Sequence, residues 1–588
     1  MTGIVGGSVT GRDLGAMAGA LHAEPWYGEE RFEEGDRGLG IRHHDERDRA
    51  GWTAWQGDGS AGVLHGAITN RERRGLTDAV LFESVLDEPL ETLPGLDGSF
   101  ALACTDGERL VLATDKLGTR PCYYHIDDRL LFASGLPPVL AGLDDPGIDE
   151  RGASDMLLLG HLWGEKTLIE GIRALPPATV LEHADGDAST ERYWWPEFEP
   201  APVAGYLDSL IGRYRTAMAD ASRTVAGEAG LWLSGGLDSR AMAGELKRNV
   251  ETGVLSGLSA YTYDSNPRGA GNPELARRIA ARLDVPIEEV RLTPERFLER
   301  VEPAIDLTDG MLRWSSMANL MATFALPDER PDVLLEGAGQ GELVGEHLTR
   351  GHLRCSPAES MYRSEAMVDA ADAAALLAAD VDPRDSLRAV AARSDERTRR
   401  GRIFDAHFGN YYSRMVFASD AVTRSQVGTR VPFAHGDFLA HAARLPPRYQ
   451  LRTLPGTEIP YSVTQPKLKL VRALGPALAG VPYERTGLAP SWPFGLHVAG
   501  FVAKTGLSRL RSRTTYGGRS TLDEWYREHE GMRAFVDGLL DDARDRGLFD
   551  GDAVEELRRE HLAGEANHVV TGIAAVTTLE HWLQAHFD

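Results

Sequence analysis

Up to about residue 200 the chain carries short apolar stretches that alternate with polar positions and are punctuated by Gly, Asp and Pro. Ala61-Gly62-Val63-Leu64-His65-Gly66-Ala67-Ile68, Ser99-Phe100-Ala101-Leu102-Ala103-Cys104 and Leu110-Val111-Leu112-Ala113-Thr114 read as strands, so a layered β-rich domain is predicted. The Pro/Glu/Ala stretch Trp195-Pro196-Glu197-Phe198-Glu199-Pro200-Ala201-Pro202 reads as a linker. Beyond it helical periodicity dominates, with strands predicted only at 230–234, 258–263 and 332–336. Such strand–helix alternation implies an open parallel sheet that binds ligands at the carboxyl ends of its strands. From about 355 the pattern is almost wholly helical and closes on an amphipathic segment ending Leu579-Glu580-His581-Trp582-Leu583. No internal repeat or low-complexity tract interrupts it.

Chemistry concentrates at 231–240, Leu-Trp-Leu-Ser-Gly-Gly-Leu-Asp-Ser-Arg, where an apolar strand runs through a Ser/Gly turn into a helix. Gly235 and Gly236 leave backbone N–H groups uncovered behind Leu233, Ser234 and Ser239 add hydroxyls, and the helix N-terminus favours an anion. Asp238 suits a Mg²⁺ that bridges phosphate oxygens. The spacing is neither that of a Walker A loop nor that of a dinucleotide fold, and simple turn chemistry between strand and helix is the bland alternative.

Composition narrows the partners. The 588 residues suffice for two to four domains, and a hydrophobic share of 42% is that of ordinary globular protein. No apolar run approaches the roughly 20 residues that span a bilayer, and the N-terminus lacks a signal-peptide layout, so a cytoplasmic protein is expected. A net charge of −25 repels nucleic acid and anionic membranes. Cys104, Cys122 and Cys355 are too few and too dispersed for a disulfide framework or a zinc knuckle, and read as buried small hydrophobes. Only six residues are lysine, against 88 acidic ones. That balance fits the surface of a salt-loving organism's protein, and equally a GC-rich genome that favours Arg codons. Amid such scarcity, the pair Lys467 and Lys469 invites a chemical reason, because Arg does not replace a compact ammonium.

Several segments, taken in order, resemble the asparagine synthetase family over nearly the whole chain. They are Leu96-Asp97-Gly98-Ser99-Phe100-Ala101; Asp115-Lys116-Leu117-Gly118-Thr119-Arg120-Pro121 with Tyr123-Tyr124 and Leu131-Phe132-Ala133-Ser134; Thr167 through Pro177; Arg192-Tyr193-Trp194; the phosphate loop; and Arg430-Val431-Pro432-Phe433. The loop itself resembles that of the ATP pyrophosphatases. The resemblance implies an α+β N-terminal-nucleophile amidotransferase-like domain, residues 1–195. An α/β ATP-pyrophosphatase domain with a mostly helical C-terminal part, residues 203–588, would follow. ATP and Mg²⁺ are the implied cofactors, a small-molecule carboxylate and ammonia or an amine the implied substrates, and a homodimer the candidate assembly. In working members a cysteine after the initiator Met releases ammonia from glutamine, which attacks an acyl-adenylate made from aspartate.

The departures bear on activity. The chain begins Met1-Thr2-Gly3-Ile4-Val5-Gly6, with Thr2 where the resemblance expects the nucleophilic Cys, and His65 stands at the expected oxyanion-binding Asn. A threonine can serve as nucleophile in this broader fold, but losing one oxyanion donor alone costs roughly 3–4 kcal/mol. A folded but inactive glutaminase is therefore expected, with Thr2, His65 and Asp97 marking its remains, as in the β-lactam synthetases, which lack that cysteine too. In the synthetase half, Gly337-Ala338-Gly339-Gln340-Gly341-Glu342-Leu343-Val344-Gly345 meets the family's acidic segment with Gly341 in place of the expected Mg²⁺ ligand. Glu342 is the proposed substitute, with a plain surface carboxylate as the alternative. Lys467 and Lys469 fall where the family places a phosphate-holding lysine, and Lys469 is slightly preferred. Two functions follow. The first is an ATP-dependent, AMP-forming amide ligase; the second is a catalytically reduced ATP-binding sensor or scaffold, suggested by Gly341 and Thr2 together.

Overall fold

The computed structural model describes residues 2–264, 271–317, 320–454, 456–457, 459–461, 463–511 and 520–588. Two antiparallel sheets of six strands each form the N-terminal half. The first is ordered Arg173–Ala174, Tyr123–Ile126, Leu130–Ala133, Gly3–Gly7, Arg37–His43, Gly28–Glu34; the second Asp187–Arg192, Thr179–Ala184, Arg109–Thr114, Gly98–Thr105, Ala61–Ile68, Trp52–Gln56. Because successive strand residues point to opposite faces, neighbours in sequence enter different cores. Ile4, Leu39, Val63, Ala101, Leu112 and Phe132 share the layer between the sheets. Val5 and Leu131 turn the other way onto Leu14 and Met17 of the helix Gly11–Gly19. Leu64, Leu102 and Val111 meet Leu81, Phe82 and Val85 of the helix Asp78–Asp87. The result is a helix–sheet–sheet–helix stack, which is why Ala61–Ile68 is buried along its whole length.

A five-stranded parallel sheet follows, ordered Ile287–Arg291, Gly257–Asp264, Glu228–Trp232, Val333–Leu335, Gly428–Arg430. The three predicted strands are its centre. The two that escaped the pattern are its edges. Ile287–Arg291 is a mostly exposed, charged edge and Gly428–Arg430 spans three residues, too few for any period to register. The first strand of the sheet, Glu228–Trp232, lies between the second and the fourth in chain order, so the crossovers depart to opposite sides and open a crevice at the carboxyl ends of Glu228–Trp232 and Val333–Leu335.

The remainder is helical. The closing helix Ala574–Phe587 is buried at every position from Ala574 to Glu580 and reaches solvent over Gln584–Phe587; even Glu580 is covered because Arg546 grips both its oxygens, at 2.6 and 3.0 Å. Cys104 and Cys122 are buried, whereas Cys355 is partly exposed, contrary to the expectation for all three. The segment read as a linker is pinned down: Trp195 Nε1 donates to Asp405 at 2.8 Å, and Phe198 packs on Phe404 and Phe408. Among the described residues no helix is long and apolar enough to cross a membrane.

The two halves are clasped by buried polar contacts. Arg430 holds Asp48 through two hydrogen bonds of 2.9 and 2.6 Å, with both side chains almost fully covered. Asp97 accepts from Lys116 Nζ at 2.8 Å, from Asn70 at 3.0 Å and from the Gly436 N–H at 2.8 Å. Arg120 donates to the Thr429 carbonyl at 3.1 Å, and the Leu136 N–H donates to Asp309 at 3.0 Å. Each unit satisfies donors of the other, so separating them would strand buried charges.

Candidate active site

The loop after Glu228–Trp232 opens into the crevice and leads to the helix Asp238–Glu251. Ser234 Oγ and Ser239 Oγ are 2.8 Å apart, and Ser234 Oγ accepts the Gly236 N–H at 3.1 Å. The two hydroxyls thus stand together at the helix N-terminus, where the macrodipole favours an anion. Gly235 and Gly236 do not take a left-handed backbone. The space around them is tight: a Cβ on Gly235 would come 3.0 Å from Leu275 Cδ1, and one on Gly236 3.0 Å from Ser234 Oγ. The Gly235 N–H is bonded to Asn272 Oδ1 at 2.7 Å, and its carbonyl accepts from buried Arg240, which also binds the Val481 carbonyl at 2.7 Å. Leu233 donates its N–H to the Tyr261 carbonyl at 2.7 Å and belongs to the core that supports the loop.

Asp238 is the hub of the site. One carboxylate oxygen accepts from Gln340 Nε2 at 3.1 Å, and Gln340 in turn accepts from Tyr214 OH at 3.0 Å. The other oxygen meets Lys467 Nζ, which also contacts Glu346. The two lysines behave differently. The Lys467 side chain is 3% exposed between these carboxylates, whereas that of Lys469 is 43% exposed and pairs at 3.2 Å with Asp208, itself largely in water. Helical geometry explains the split, since positions two apart on Gln465–Leu474 face away from each other. Of the two, Lys467 is the one that the fold buries beside Asp238, and Lys469 stands at the surface.

The carboxylate that faces Asp238 across Lys467 is Glu346. A Cβ on Gly341 would lie 2.8 Å from Glu346 Oε2, 3.0 Å from Lys467 Nζ and 3.3 Å from Asp238 Oδ2. The missing side chain leaves the centre of the cluster to Glu346. Glu342 turns toward a different neighbourhood, where its charge acts on His347, Tyr411 and Tyr412. Two acid oxygens face a space that a Cβ would fill, and carboxylate oxygens are the ligands Mg²⁺ takes; Lys467 Nζ, which has no lone pair for a metal, bridges them as a counter-charge. Sequence reasoning missed Glu346, Gln340 and Tyr214. The available signal was the carboxylate deficit at Gly341, which calls for another acid in the same loop.

The N-terminal site is closed. Thr2 Oγ1 lies 3.1 Å from His65 Nε2, with both residues buried. They line a cavity of about 10 Å³ together with His43, His44, Arg120 and Arg424, near the minimum for one water. Burial and the charges of Arg120 and Arg424 hold the His65 imidazole well below its ordinary pKa, so its ring is neutral and Nδ1 has no partner. Asp97 is not among the residues lining this cavity and acts in the clasp described above. Met1 lies outside the described residues. Behind Arg120 and Arg424, Asp420 and Glu336 complete a buried charged group in which burial and the neighbouring Asp420 raise the Glu336 carboxyl to about 8.

A layered antiparallel double sheet followed by a parallel sheet with a Ser-Gly-Gly-Leu-Asp-Ser cradle at its switch point is an amidotransferase-like domain joined to an ATP-pyrophosphatase-type synthetase domain. Residues 69–194 match the glutamine amidotransferase domain model, and residues 214–475 match the asparagine synthase model. The two models, matched in this order, support the asparagine synthetase family, which is one of ATP-using ligases and amidotransferases. Among solved structures it is similar to the glutamine phosphoribosylpyrophosphate amidotransferase of B. subtilis complexed with ADP and GMP, at 12% identity and a TM-score of 0.26, over 50% of this chain and 92% of that one. It is also similar to a structure described as the allosteric regulatory enzyme of purine biosynthesis, at 12% identity and a TM-score of 0.25, over 49% of this chain and 80% of that one. No curated protein matches.

Proposed function

We propose that the protein is an AMP-forming amide ligase in which residues 203–588 adenylate a small carboxylate, aspartate or a relative, and residues 1–195 no longer hydrolyse glutamine. The observation that carries this reading is the convergence of Asp238, Glu346 and Lys467 beneath the Ser234–Ser239 loop at the switch point of the sheet. ATP would lay its phosphates on the loop hydroxyls and helix N-terminus, and Mg²⁺ would be held by Asp238 and Glu346 to offset charge on the phosphate oxygens. Gln340, fixed by Tyr214, orients the Asp238 carboxylate, and Lys467 supplies a compact positive charge as pyrophosphate departs. The nitrogen nucleophile is then free ammonia or an amine carried by the substrate, because Thr2 and His65 share a cavity too small for glutamine.

The test is pyrophosphate release from the purified protein with ATP, Mg²⁺ and a panel of carboxylates, at low and high salt. Asp238→Asn and Ser234→Ala are expected to abolish release with circular dichroism unchanged, since each removes a metal or phosphate contact without emptying the core. An Asp238→Asn protein with full turnover would sink the assignment.

A further inference from the structure

Just beyond Glu346 the chain brings together side chains that the ligase reading leaves unused. His347, Glu365 at the end of the helix Pro357–Glu365, and His407 within the helix Arg399–Tyr411 place one ligand atom each within 4.8 Å of one another. His347 Nε2 and Glu365 Oε1 are 2.8 Å apart. His407 is 3% exposed and Glu365 5%, yet His407 Nε2 has no hydrogen-bond partner. The rings are held in place by stacking: Tyr411 lies 4.2 Å from the His347 ring at 28° and 4.6 Å from the His407 ring at 18°. Tyr412 meets the His407 ring edge-on at 5.5 Å.

An imidazole nitrogen kept in the core without a partner is unfavourable unless something outside the polypeptide completes it. We infer that His347, Glu365 and His407 bind one divalent transition-metal ion, zinc by the chemistry of the donors. Two imidazoles and one carboxylate form a borderline set that suits Zn²⁺, whereas Mg²⁺ takes oxygen ligands and suits the neighbouring Asp238–Glu346 cluster. Donor atoms around one tetrahedral zinc lie roughly 3.3 Å apart, so small side-chain rotations close the triad on an ion. Three protein ligands leave a fourth position open to water or to a donor atom of a substrate. The His347 side chain is 20% exposed, so the site has a solvent-facing side. The peptide bond between Glu346 and His347 ties this metal site to the nucleotide cradle without making the two share a ligand.

The test uses the full chain, freed of metal by a chelator and then titrated with Co²⁺ and Zn²⁺. Expected are one Co²⁺ per chain with the intense visible absorption of a tetrahedral-type site, full displacement by one equivalent of Zn²⁺, and no competition from a large excess of Mg²⁺. His407→Asn and the isosteric Glu365→Gln should each weaken Zn²⁺ binding by about 100-fold or more, and Asp238→Asn should leave it unchanged. Absence of a stoichiometric Co²⁺ band from the wild-type protein overturns the inference whatever the variants do. So does wild-type affinity in either ligand variant. Because the readout is spectroscopic and needs no turnover, a failed ligase assay would not affect it, and a failed titration would leave the ligase reading intact.

Discussion

Lys467 and Lys469 give the sharpest test of the site, because they stand two residues apart in one helix and differ almost solely in where they point. Lys467→Met removes an ammonium that is 3% exposed between Asp238 and Glu346; Lys469→Met removes one that is 43% exposed beside Asp208. A unit charge acting on developing phosphate charge at about 4 Å, with an effective dielectric near 20, is worth about 4 kcal/mol, or roughly a 10³-fold change in rate. If Lys467 acts chiefly in the transition state, that loss falls on kcat, while nucleotide affinity changes by less than about tenfold. The Lys469–Asp208 pair is a surface bridge of at most about 1 kcal/mol to stability and should not alter turnover beyond about twofold. Lys467→Arg should stay close to the Met variant, since a planar fork cannot occupy the place of a compact ammonium between two carboxylates. The assay is pyrophosphate release under saturating ATP, with nucleotide binding measured separately by calorimetry. A Lys467→Met enzyme with normal kcat beside an impaired Lys469→Met enzyme would refute the reasoning.

Other consequences are equally direct. Incubation with glutamine should yield no glutamate above background, and Thr2→Ala should leave that result unchanged; release that depends on Thr2 would restore a threonine nucleophile. Asp48→Ala strands the buried Arg430 guanidinium and should cost about 3–5 kcal/mol in denaturant unfolding, while adding Arg430→Ala to it should cost little more. Burial raises the Asp309 carboxyl to about 7, so between pH 4 and 7 the folded chain holds a proton that the unfolded chain has lost, and stability falls as pH rises through that window. Asp309→Asn keeps the acceptor for the Leu136 N–H, and should leave stability unchanged near pH 4 while raising it at pH 8, by a ceiling of about 4 kcal/mol. A melting temperature for this variant equal to the wild type at pH 8 would contradict the burial argument.

Much of the architecture was legible in the order of residues because its causes are local. The near-continuous apolar runs of Ala61–Ile68 and Gly98–Thr105 specify strands whose two faces enter two cores, and the strand–turn–helix order of 231–240 is legible without any partner in view. The edge strands Ile287–Arg291 and Gly428–Arg430 were not legible, since a short or charged strand is defined by the neighbour that accepts its backbone hydrogen bonds. The same distinction runs through the site. Residue type marked Asp238 and the two lysines as candidates, but only the rotation of the helix Gln465–Leu474 against the loop decides that Lys467 turns inward and Lys469 outward. Substitution of Gly341 for an acid reads as a loss along the chain. In three dimensions it is an opening that Glu346 occupies, because a side chain is placed by the packing around it and not by its rank in a motif.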